Sequence, residues 1–119
     1  MAESARTPPG SGAGGDEDAR FEEAAGMLRV LSHPVRLKII QILSSGELCV
    51  KRLEEILGIS QPSVSQHLSR LRYAGLIESE RRGHLVCYRL ADGVAMRVLN
   101  AAMEKPKAAE GGAGERKGV

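Results

Sequence analysis

Between Lys51 and Ile77 the chain reads KRLEEILGISQPSVSQHLSRLRYAGLI, and its punctuation leaves little conformational freedom. Gly58 stops a brief helix. Ser60 is a good N-cap for the next one, and Pro62 suits its first turn, where a missing N–H costs nothing. Val64, Leu68 and Leu71, with Leu76 beyond the end, give the second helix a buried side. Its other side carries Pro62, Ser63, Gln66, Ser69, Arg70 and Tyr73. At ~100° per residue, Pro62, Gln66, Ser69, Arg70 and Tyr73 fall within ~80° of the direction opposite Val64 and Leu68. A short helix, a tight turn and a longer helix with side chains that both donate and accept hydrogen bonds match a helix-turn-helix.

The pattern then changes period. Ile77, Ser79 and Arg81 alternate with Glu78, Glu80 and Arg82; after Gly83, Val86, Tyr88 and Leu90 alternate with Leu85, Cys87 and Arg89. Alternation on both sides of a glycine predicts a hairpin, with Arg81, Arg82, Gly83 and His84 as a charged tip. Upstream, Phe21, Ala24, Ala25, Leu28 and Leu31 are spaced for an amphipathic helix over 18–31. In SHPVRLKIIQILSSG, His33 is a cap, Pro34 opens a helix and Gly46 closes it. Val35, Leu37, Ile39, Ile40, Ile42 and Leu43 leave that helix little polar surface, so it belongs at the centre. A last helix over 93–104 places Val94, Val98, Ala101 and Ala102 on one side, with Met96, Leu99 and Met103 widening the stripe. Aromatics are only 3% and Trp is absent, so an aliphatic core suits helices better than a sandwich. The expected fold is mainly α with a small β-sheet: a winged helix-turn-helix of about five helices plus a hairpin wing. Residues 1–16 and 105–119, rich in Gly, Pro and charge, read as disordered tails around a domain at 17–104.

Charge supports a polyanionic partner. Residues 1–25 hold two arginines against six carboxylates, a balance of −4; the remainder, fifteen basic against nine acidic, carries +6. In such motifs the second helix enters the DNA major groove, whose base edges present mixed donors and acceptors. Ser60, Gln61, Ser63, Ser65, Gln66, His67 and Arg70 are the candidate contacts from the helix, His67 with helix packing as its other role. Arg81, Arg82 and His84 on the wing would reach phosphate or the minor groove.

The segments LSHPVRLKIIQIL, ELCV, ISQPSVSQHLSRLRYAGLI and RRGHLVCYRL, in that order over about residues 20–103, resemble the ArsR/SmtB (arsenic-repressor) family of bacterial regulators. The resemblance implies a homodimeric repressor, joined through its first and last helices, that leaves a near-palindromic operator when an inducer binds. Phe21, Leu28, Val94, Val98 and Ala101 are the dimer candidates, being more apolar surface than one small chain can cover. ELCV would be the third strand of the wing sheet.

The inducer is less legible. In arsenic-sensing relatives a second cysteine follows two residues after the one matched by Cys49; here Lys51 stands there. A second family site uses Asp and His between the last helices, where this chain has Asp92 but no His. A third draws cysteines from an N-terminal arm that here has none. What remains is Cys49 with Cys87. If ELCV pairs with the second hairpin strand, Leu48, Val50, Val86, Tyr88 and Leu90 point inward and both cysteines outward. Directly opposite residues have Cβ atoms about 4.5–5.5 Å apart. Such a pair could bind As(III) or another thiophilic ion with an outside third ligand, or cycle through a disulfide or persulfide; alternatively both cysteines simply pack. Such an ion is the sole cofactor candidate.

Three readings compete: a repressor with a thiol-directed inducer through Cys49 and Cys87, a repressor with a non-metal inducer and structural cysteines, and a winged helix used for protein–protein contact. No nucleophile-and-base spacing or phosphate-cradling loop suggests an enzyme. The expected partners are double-stranded DNA and a second copy, with no membrane segment and a cytoplasmic location.

Overall fold

The computed structural model describes residues 12–104. Helix α1 spans Gly12–Leu31, α2 Pro34–Leu43, α3 Val50–Leu57, α4 Gln61–Tyr73 and α5 Val94–Met103; the strands are β1 Leu48–Cys49, β2 Ile77–Arg82 and β3 Leu85–Leu90. Together they make five helices and an antiparallel sheet of order β1-β3-β2. Of the tails expected at 1–16 and 105–119, residues 1–11 and 105–119 lie outside the described residues, whereas 12–16 belong to α1. The first helix starts at Gly12 rather than Asp18. Residues 12–17, GAGGDE, carry no large apolar side chain, so the first turns leave no apolar periodicity to read.

α2 is the hub, packing against α1, α4, α5 and β3. Its Ile39, Ile40 and Leu43 are buried together with Leu31, Leu53, Val64, Leu68, Leu71, Leu76, Ile77, Ala95 and Leu99. His33 caps it as expected, Nδ1 accepting from the Val35 N–H at 3.2 Å. Gly58, at φ +67°, ends α3 and donates its N–H to the Glu54 carbonyl at 2.8 Å, a left-handed conformation that a Cβ would penalise. This glycine turns the chain from α3 into α4.

Three elements differ from the reading of the sequence. The wing tip is shorter: Arg81 and Arg82 are paired strand residues opposite Val86 and Leu85, and the loop is Gly83–His84 alone. Gly83 at φ +65° supplies the positive angle that a two-residue loop requires at its first position. On α5 the buried edge is Ala95 and Leu99, while Val94 and Val98 are half-buried and Ala101 and Ala102 exposed. A stripe this wide does not say which of its edges docks on α2. Among the described side chains of α1 only Leu31 is buried, with Met27 and Val30 packed against the core; Phe21 and Leu28 remain 67% and 50% exposed.

Candidate DNA interface and thiol pair

α4 presents two distinct sides. Val64, Leu68 and Leu71 are buried, whereas Gln61, Pro62, Gln66, Ser69, Arg70 and Tyr73 are exposed. Ser60 terminates the helix from outside: its hydroxyl accepts from the Ser63 N–H at 3.4 Å and donates to the Ser63 hydroxyl at 3.2 Å. Ser63 and Ser65 are half-buried. Alongside runs an open groove of about 1000 Å³, with Glu23, Met27 and Val30 of α1 on one wall and Ser65, Gln66 and Arg70 of α4 on the other. Gln66 and Arg70 thus line this concavity from the exposed side of α4.

His67 does something else. Its Nδ1 accepts from Arg36 Nε at 3.2 Å, and its ring lies 4.5 Å from that of His33. Arg36 also donates to the Val30 carbonyl at 2.8 Å. His67 therefore ties α4 to α2 and, through Arg36, to α1. Of its two expected roles this geometry favours packing. Burial, and then the positive neighbours His33, Arg36 and Arg70, hold its pKa below the ordinary 6.5. The unfolded chain therefore binds the proton more readily than the native one, so the stability tied to this site is intact above pH 6.5 and lost as pH falls towards the lowered native value. Urea midpoints should drop more between about pH 7.5 and 5.5 in the parent than in His67→Gln; equal drops would contradict the assignment.

The wing carries less free positive charge than its residue count suggests. Arg82 reaches Glu47 at 3.0 Å and Glu80 at 3.2 Å; Arg89 reaches Glu78 at 3.0 Å and Glu80 at 3.2 Å. Arg81 and His84 are exposed. Reading the sequence missed Glu47 and Arg36. Glu47's signal was its parity with Cys49; Arg36 had none, sitting on a helix expected to be almost wholly apolar.

Cys49 and Cys87 are directly opposite across β1 and β3 and are joined by a disulfide. Parity was right about the face: Leu48, Tyr88 and Leu90 pack against the core, and Cys87 stands outside the core cluster. Facing away from the core did not leave it exposed, however; Cys87 is only 3% accessible while Cys49 is half-buried. β3 is the central strand, so Cys87 is flanked by Cys49 on one side and Glu80 on the other. Asp92, the remaining residue of the Asp/His site, accepts from the Val94 N–H at 3.0 Å at the start of α5. Among the described residues no group of three or more His, Cys, Asp or Glu side chains is placed to hold a metal ion.

Residues 33–79, which run from the cap of α2 into β2, match the model of the bacterial regulatory protein arsR family. The chain is 42% identical over 86 residues to the biofilm growth-associated repressor of Xylella fastidiosa, covering 72% of this chain and 75% of that one. It belongs to the ArsR family. Solved structures agree with this membership. The transcriptional repressor BigR from Xylella fastidiosa superposes with a TM-score of 0.67 at 38% identity, covering 76% of this chain and 96% of BigR. NolR from Sinorhizobium fredii superposes with a TM-score of 0.69 at 30% identity, covering 83% and 93%. As an ArsR-family member the protein is a DNA-binding transcriptional regulator, not an enzyme. No helix among its described residues is long and apolar enough to cross a membrane.

Proposed function

We propose that the protein is a homodimeric repressor that reads a near-palindromic operator with Gln66 and Arg70 of each α4, and that modification of Cys49 and Cys87 releases it. The observation that carries the thiol part is the directly opposed, joined cysteine pair. Cys49 is the last residue of β1 and the N-cap of α3, and α3 packs on α4. A bond made or broken between β1 and β3 acts at the joint between wing and helix-turn-helix. Of the two chemistries open to the pair, the disulfide or persulfide route needs no third ligand, whereas As(III) would need one from outside. The repressor names of the relatives support the direction of control.

Operator release by a persulfide donor, a low-molecular-weight disulfide and arsenite, compared in the parent, Cys49→Ser and Cys87→Ser, tests this reading. Loss of response in either single variant is expected, since the thiols act as a unit. Undiminished release in both would leave the cysteines as packing residues and the inducer elsewhere.

Dimerisation is supported by the exposed Phe21 and Leu28 on α1 and the exposed Met103 and Ala101 on α5, and a symmetric operator needs a symmetric reader. Leu28→Glu alters a half-exposed side chain, so the single chain should stay folded while the dimer dissociates. Light scattering at micromolar concentration should show twice the chain mass for the parent and one chain for the variant. A monomeric parent would refute the dimer.

A further inference from the structure

On the face of the sheet turned away from the core, alternate residues form a patch centred on Cys87. Cys49 and Glu80 are its direct partners. One step along, Arg89 lies opposite Glu78, and Glu47, just before β1, is level with them. One step the other way, Leu85 lies opposite Arg82. Glu47 and Arg82 therefore occupy opposite corners, yet their side chains meet at 3.0 Å. The bridge joining them must cross the cysteine row. Arg89 and Glu80, bonded to each other at 3.2 Å, close the same space from beside it. Cys87, on the central strand and bonded to Cys49 beneath these groups, is 3% exposed, while Cys49 on the edge strand is half-buried.

We infer that the Glu47–Arg82 bridge is a lid over Cys87 that makes Cys49 the attacking thiol and Cys87 the resolving one. With a low-molecular-weight disulfide as oxidant, the Cys49 thiolate attacks one sulfur, forming a mixed disulfide and expelling one thiolate. The Cys87 thiolate then attacks the Cys49 sulfur and expels the second thiolate. The two protein thiols lose two electrons and two protons, and the reagent becomes two thiols. The lid allows only this order: an outside reagent meets Cys49, whereas Cys87 meets the sulfur already fixed opposite it. Glu47 and Arg82 are positioning residues here, and Arg82 is shared between this lid and the wing.

The biological use of the lid rests on the thiol reading above, but its existence is measured without operator or inducer. Reduced full-length Cys87→Ser and Cys49→Ser proteins, each with one thiol, are alkylated with iodoacetamide under pseudo-first-order conditions. Cys49 should react several-fold faster than Cys87. Adding Glu47→Gln should speed Cys87 by about two- to fivefold, the factor an exposed ion pair accounts for, and leave Cys49 nearly unchanged. Raising salt to about 1 M, where the screening length is about 3 Å, should speed Cys87 when Glu47 is present and do little in Glu47→Gln. Peptide mapping of the reduced, unsubstituted protein at low and high salt repeats the comparison without any change of sequence. A Cys87 rate indifferent to both Glu47→Gln and salt would overturn the lid, as would equal acceleration of both thiols, which signals opening of the whole sheet.

Discussion

Gln66→Ala and Arg70→Ala proteins are expected to fold like the parent and each to lose about 1–3 kcal/mol of operator binding. Both side chains are exposed, so their removal should shift stability by no more than about 0.5 kcal/mol. The loss should be confined to specific sites, because an amide or guanidinium on a base edge discriminates sequence whereas a phosphate contact does not. Arg81→Ala should instead weaken operator and random duplex alike and reduce the salt slope by about one unit. Arg82→Ala should do so less, since Glu47 and Glu80 already hold that guanidinium. Anisotropy titrations on operator and random duplex at several salt concentrations, with urea melts alongside, separate these outcomes. Parental operator affinity in folded Gln66→Ala and Arg70→Ala proteins would remove α4 as the reading helix.

Leu68→Ala, two residues from Gln66, should have the opposite profile and the largest effect on stability. Leu68 is wholly buried in the cluster that joins α4 to the hub helix α2. Truncation there removes apolar contacts and leaves a space that neighbours only partly fill, costing about 2–5 kcal/mol. For a domain this small that is a large part of its total stability, so operator binding should fail through loss of the folded population rather than of contacts. Urea denaturation gives the size of the effect. A cost under about 1 kcal/mol would mean that the α2–α4 packing is not as described.

What was legible in the sequence shares a physical basis. Ser60, Pro62 and Gly58 act on the backbone within one turn, and alternation at 77–90 acts within one strand, so helix-turn-helix and hairpin could be read in order. Cysteine parity belongs to the same class, because successive side chains of a strand leave on opposite faces. Other features needed the third dimension. His67 had helix packing and phosphate contact as its two roles until α2 brought Arg36 and His33 against it. Arg82 looked like free wing charge until Glu47, thirty-five residues away, met it across three strands. Cys87 faced outward by parity and was buried all the same, lying on the central strand between Cys49 and Glu80. Local periodicity determines which way a residue points. Which distant charge or ring it meets there depends on how the elements pack, and that decided whether a polar residue was left exposed or was held by the fold.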